Sequence, residues 1–297
     1  MSNLSLLKKL REETGCGIAD CNKALKENNN DYEKSIDWLR KKGLSSASKK
    51  TGRVTSEGVV AVYIDGNKAS IIEVNSETDF VARNQKFQDF VTALSKESLK
   101  YDNNIEKFKS DKDEEVREQI SVIGENINIR RIAQISTNKG VVVSYIHSKI
   151  SDNLGKIAVI IALDSEAAKD KLEDLGKQIS MHIAAARPEA LTIADVSSDS
   201  LKRETEILKE QSRASGKPES IIEKMIQGRI RKYYEEIVLL EQSFVMDDKL
   251  KIKDLLDNFS KENGKVEISS YKIFVLGDGI EKKEDDFAAE VAAMSKN

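Results

Sequence analysis

The sequence predicts an α+β protein. It has a three-helix N-terminal module, a duplicated core of two small antiparallel sheets with helices, an inserted helical hairpin and a C-terminal helix. Three observations lead there. Valine-rich runs separated by turn residues read as antiparallel hairpins. The hairpin pattern occurs twice, as Gly58-Val-Val-Ala-Val-Tyr-Ile-Asp65 and Gly140-Val-Val-Val-Ser-Tyr-Ile-His147, identical at five of eight positions. Most of the remaining chain carries apolar residues at helical spacing, and only Pro188 and Pro218 interrupt its 297 residues.

Residues 1–43 read as three short helices. Leu4, Leu7 and Leu10 mark the first apolar face, and Thr14-Gly15-Cys16-Gly17 breaks it. Ile18, Cys21, Ala24 and Leu25 mark a second face. After Asn28-Asn29-Asn30, Asp31 is placed to cap a third helix bearing Tyr32, Ile36 and Leu39, with Gly43 as its stop. Residues 44–57 are small, polar and basic with no period, and are read as a linker.

The first core subdomain is assigned to 58–138. Gly58–Ile64 and Ala69–Val74 flank the turn Asp65-Gly66-Asn67. Phe87, Phe90, Val91 and Leu94 mark one helix, and Val116, Ile120 and Ile123 another. Ile127, Ile129, Ile132 and Ile135 suggest a further strand. The second subdomain is assigned to 139–277. Its hairpin continues into a helix with Leu172, Leu175, Ile179 and Ile183 on one face. Residues 199–240 form the inserted charged hairpin, broken at Ser215-Gly216-Lys217-Pro218. A helix bearing Ile252, Leu255, Leu256 and Phe259 and a strand from Val266 to Leu276 close the core. Residues 278–297 form the C-terminal module, whose segment Asp286–Met294 reads as an amphipathic docking helix or as a helix folded back on its own domain.

Charge excludes some function classes. Lys and Arg number 48 against 51 Asp and Glu, a net charge of −3, so no basic excess is available for a nucleic-acid backbone. No apolar run approaches the roughly 20 residues that span a bilayer. The opening Met1-Ser2-Asn3-Leu4 lacks the pattern of a signal peptide, and a bacterial cytoplasmic address is expected. Gly216-Lys217 lacks the upstream glycine of a phosphate-binding loop. Cys16 and Cys21 have neither metal spacing nor a nearby histidine, and Cys21 reads as core. His182, inside a helix, reads as structural, whereas His147 lies at a strand end where contacts are made. No nucleophile, metal site or cofactor is expected. Glu77-Thr-Asp-Phe-Val-Ala-Arg-Asn84 stands out between a strand and a helix. Taken alone, these residues favour a helix capped by Thr78 or Asp79, with Phe80 folded onto its own sheet.

Thr78-Asp79-Phe80-Val81-Ala82 resembles the signature of the bacterial elongation factor Ts family. Further motifs agree in order: Arg11–Cys21 with Lys23-Ala-Leu25, Gly124–Arg131, Met181–Pro188, Ser215–Pro218, Phe244–Met246 and Asp286–Ala293. The resemblance implies a non-enzymatic guanine-nucleotide exchange factor for elongation factor Tu, binding its GDP-bound and nucleotide-free forms. It also implies a ubiquitin-associated (UBA)-like N-terminal module and a coiled-coil hairpin that docks on the partner or on a second copy, as in a homodimer. Thr78, Asp79, Phe80 and Val81 match the family segment that enters beside the nucleotide's magnesium. Lys23, Ile123, Gly124, His147, Val245 and Met246 match further partner contacts. One departure is Asn22-Lys23, where the family often has two lysines. The competing expectation is a translation-linked RNA-binding or scaffold protein, supported by Lys49-Lys50-Thr-Gly-Arg53 and by Arg130-Arg131.

Overall fold

The computed structural model describes residues 3–213 and 219–280. Helices α1 (Asn3–Thr14), α2 (Ile18–Glu27) and α3 (Tyr32–Lys50) enclose Leu10, Cys21, Ala24, Leu25 and Leu39. Asp31 caps α3 by accepting from the Lys34 N–H at 3.1 Å. Ile18 points outward, unlike the rest of its expected face.

Helix α3 does not stop at Gly43. It runs through 44–50, so the expected linker is helical over half its length. Gly43 serves packing instead: a Cβ there would lie 2.1 Å from Ser121 Oγ on α6 (Ile105–Ile123). Arg40 pairs with Glu114 and Glu118 on α6, and Lys50 donates to the Gly124 carbonyl at 2.6 Å. The N-terminal module is thereby braced against the core along the extended α3.

In the first half of the core, β2 (Lys68–Ser76) is central between β1 (Glu57–Asp65) and β3 (Ile127–Ser136), all antiparallel. In the second half β5 (Leu154–Ser165) is central between β4 (Gly140–Ser151) and β8 (Val266–Val275). Each half has a register shift on the third-strand side, at Glu73/Val74 and at Ala162/Leu163. Gly58 and Gly140, the first residues of the sequence repeat, are structurally equivalent. Both have positive φ (124° and 136°), and an added Cβ would meet a neighbouring-strand carbonyl oxygen, that of Val74 at 2.2 Å or Leu163 at 2.0 Å. Only glycine fits such a site.

Where two separate sheets were expected, the halves are continuous. Val60 pairs with Gly155 and Ala61 with Leu154, joining all into one six-stranded sheet that bends at this corner. Beyond it the two halves stack face to face, burying Val60, Val62, Ile71, Val142, Ala158 and Ile160 between them. Their outer faces are covered by helices. Phe87, Val91 and Leu94 of α5 (Gln85–Ser98) and Phe108 and Ile120 of α6 cover the first half. Leu172, Leu175, Ile179 and Ile183 of α7 (Lys169–Ala186) and Leu256 of α10 (Ile252–Asn263) cover the second. Burial on both faces explains why these strands read as continuous apolar runs rather than alternating ones.

The inserted segment contains α8 (Ser198–Arg213) and α9 (Glu219–Ile237), followed by the small hairpin β6 (Ser243–Phe244) and β7 (Asp247–Lys251). Arg229 on α9 donates to Gln211 on α8 at 2.8 Å, as antiparallel helices allow. The expected turn at 215–218 and the expected helix at 286–294 lie outside the described residues. Among the described residues no helix is long and apolar enough to cross a membrane.

Candidate functional site: an exposed phenylalanine on a clamped turn

The chain leaves β2 at Ser76 and makes a single helical turn, α4 (Asp79–Ala82), before α5 begins. Thr78 is the N-cap residue of α4 by position, but its side chain makes no cap bond. Its hydroxyl donates to Glu125 Oε1 at 2.6 Å and its N–H to Glu125 Oε2 at 2.9 Å. Its carbonyl accepts from Ser76 Oγ at 2.9 Å. In return Glu77 Oε1 accepts from the Asn126 N–H at 2.6 Å. Residues 77–78 and 125–126 thus clamp each other with two carboxylates, each accepting directed, charge-assisted bonds. Asn126 Nδ2 also donates to the Arg53 carbonyl at 2.8 Å, and Arg53 pairs with Glu77 at 3.3 Å. The segment after α3 is drawn into the same clamp.

On this turn Val81 and Ala82 face the core, while Phe80 is 77% exposed. The expectation that Phe80 folds onto its own sheet is therefore overturned. Successive residues of a helix point about 100° apart, so one short turn cannot bury Phe80 together with Val81 and Ala82. Asp79 is partly buried beside Phe80, and its Oδ2 lies 3.3 Å from Arg83, a surface pair of small energetic weight.

Several of the other predicted contact residues lie near this turn. Ile123 ends α6 half-buried, and Gly124 caps that helix in the left-handed region at φ 89°, immediately before the Glu125 of the clamp. His147 is exposed near the end of the β4–β5 hairpin, with Nδ1 3.2 Å from the Tyr145 hydroxyl. The next two residues, Ser148 and Lys149, share a cleft of about 420 Å3 with Asp79 and Arg83. Val245 and Met246 form the β6–β7 turn, both about half exposed. Lys23 sits apart on α2, its ammonium 3.8 Å from Glu27 of the same helix.

The family model described as Elongation factor TS matches residues 77–278, a stretch that opens at the first residue of the clamp. The chain belongs to the elongation factor Ts family. Curated proteins named Elongation factor Ts are similar over almost the whole length. The one from Rhodospirillum centenum is 51% identical over 300 residues, covering 98% of both chains. That from Paramagnetospirillum magneticum is 49% identical over 98% of this chain and 96% of its own, and that from Rhodospirillum rubrum 48% over 98% of both.

In this member of the Ts family, sequence reasoning missed the groups that hold the Thr78–Val81 turn in place. Glu125 lies 47 positions from Thr78, and no local pattern links them. The only hint was the Gly124-Glu-Asn126 motif itself. Arg130 and Arg131, expected to favour an RNA-binding reading, instead grip the buried Glu73 at 3.0 and 2.6 Å. Glu73 also accepts from the Gly277 N–H at 2.9 Å. The arginines thus fasten the end of the closing strand to the sheet. Cys21 is core, as its spacing suggests, and burial pushes its thiol pKa up. His182 is fully buried, and burial pushes its pKa down, partly opposed by its hydrogen bond to Gln242.

Proposed function

We propose that this chain promotes GDP release from the GTPase elongation factor Tu, acting by binding rather than by chemistry of its own. The observation that carries this is Phe80, a large apolar side chain held out into solvent on a turn clamped at three atoms of Thr78. A protein does not gain stability from such an arrangement. A partner that buries the ring does gain, and the clamp lowers the ordering cost of presenting it.

Asp79 and Phe80 enter the partner beside the magnesium and phosphates of GDP. Magnesium neutralises phosphate charge, so disturbing its site weakens the hold on the nucleotide. By linkage, a factor that binds the nucleotide-free partner more tightly than the GDP form weakens GDP binding by the same factor. Burying one Phe side chain is worth about 1.5–3 kcal/mol, or roughly one to two decades of affinity. Any larger acceleration comes from contacts elsewhere that also differ between the partner's states. Thr78 and Val81 complete the entering segment. Ile123, Gly124, His147, Val245 and Met246 supply further contacts, and Lys23 supplies one from the N-terminal module. That module docks, UBA-like, on the partner's nucleotide-binding domain. The α8–α9 hairpin acts as a coiled-coil arm towards the partner or a second copy, and the whole works in the bacterial cytoplasm.

The test is release of a fluorescent GDP analogue from elongation factor Tu under excess unlabelled GDP. Catalytic amounts of this protein accelerate release, and Phe80→Ala cuts the acceleration by roughly one to two decades. An unchanged rate with Phe80→Ala would remove the wedge from the mechanism.

A further inference from the structure

Below the Val245–Met246 turn lies a buried polar chain that the exchange mechanism above does not use. His182 on α7 is 0% exposed, its ring centroid 6.1 Å from that of Phe244. Its Nε2 lies 2.9 Å from Gln242 Oε1. The orientation of that amide is set independently, because Gln242 Nε2 donates to the Glu236 carbonyl in the last turn of α9 at 2.7 Å. The Gln242 oxygen therefore faces the imidazole, and His182 Nε2–H must donate to it. That leaves Nδ1 as an acceptor, and the Val245 N–H donates to it at 3.3 Å. All the polar atoms of this chain are satisfied in one tautomer only.

We infer that His182, oriented by Gln242, is a positioning residue that sets the height and direction of the Val245–Met246 contact turn. The inference rests on the proposed role of Val245 and Met246 as partner contacts. The turn joins strands as short as Ser243–Phe244 and Asp247–Lys251, so their ladder does little to hold it. The imidazole braces it from the core helix α7. Gln242 extends the brace to the base of the α8–α9 arm, so the arm and the turn move as one piece.

Two amide substitutions, each reproducing one ring nitrogen, separate positioning from mere filling of the core. His182→Asn keeps an acceptor near the Nδ1 position and loses the donor to Gln242. His182→Gln keeps the donor near the Nε2 position and loses the acceptor for Val245. Hydrogen exchange at the Val245 amide and the concentration dependence of GDP release from elongation factor Tu are measured on both full-length variants. His182→Gln is expected to speed Val245 amide exchange and raise the half-saturating concentration roughly fivefold to tenfold, with the maximal rate little changed because Phe80 is untouched. His182→Asn is expected to restore most of both. Equal behaviour of the two variants, or a loss confined to the maximal rate, overturns the inference. A Val245→Ala/Met246→Ala variant distinguishes the causes of failure. If it leaves half-saturation unchanged, the contact role of the turn falls and the inference with it. If it raises half-saturation while His182→Gln does not, the inference alone falls.

Discussion

The two halves of the core have the same strands and differ at one connection. In each half the chain leaving the central strand is tied to the residue just before, or close before, the third strand. In the first half Thr78 is held by Glu125, ahead of β3. In the second, Ser165 Oγ donates to the Lys265 carbonyl at 2.7 Å, immediately ahead of β8. Ser165 Oγ also accepts from the Ala167 N–H at 3.1 Å, and the chain then enters α7 directly. Only the first half inserts the extra turn α4, and that turn carries Phe80. The repeated scaffold thus supplies an anchor in both copies, and the exposed Phe80 sits in the short insertion of one. The second copy spends its own insertion differently, on the α8–α9 arm and the Val245–Met246 turn.

The largest test of this equivalence is at the paired glycines. Gly58→Ala and Gly140→Ala each force a Cβ onto a strand carbonyl at positive φ, and each is expected to cost about 3 kcal/mol in chemical denaturation. A much smaller cost at one of them would break the equivalence. Next comes the asymmetry at the anchors. Glu125→Ala is expected to lose about 1–2 kcal/mol of stability and to slow GDP release about tenfold, since the turn bearing Phe80 is no longer held. Ser165→Ala is expected to cost stability without slowing release. If both substitutions slow release alike, the clamp has no special tie to the site. Smaller still is the effect of Phe80→Ala on folding. Because the ring is exposed, unfolding free energy should stay within about 0.5 kcal/mol of the parent.

A further expected effect is pH dependence in the second half. Burial lowers the folded-state pKa of His182 below its ordinary 6.5. The unfolded chain therefore binds more protons than the folded one between those two values. The contribution is fully present above about 6.5 and is lost as pH falls from there towards the folded pKa. Thermal melts at pH 7.5 and 5.5 should show a smaller loss for His182→Gln than for the parent. An equal loss would place the titration elsewhere.

Local patterns made much of the fold legible. The apolar face of α5, the closing strand β8 and the repeat Gly58/Gly140 follow from spacing and turn residues a few positions apart. The stop expected at Gly43 did not hold, because that glycine answers to Ser121 on a distant helix rather than to its neighbours in sequence. The separate sheets became one for a similar reason: Val60 and Ala61 meet Gly155 and Leu154 from the other half. At the candidate site, the motif Thr78–Ala82 drew attention to the turn, but local capping rules put Phe80 on the wrong side.

By itself, then, the sequence determined which residues alternate or recur, hence the helices, strands, duplication and the family to which the chain belongs. These depend on neighbours within one turn or one hairpin. The tertiary structure alone decided the outward direction of Phe80, the grip of Glu125 on Thr78 and the brace of His182 under Val245. Those depend on hydrogen bonds closed across 47 and 63 residues, whose geometry exists only once the sheets and helices have packed.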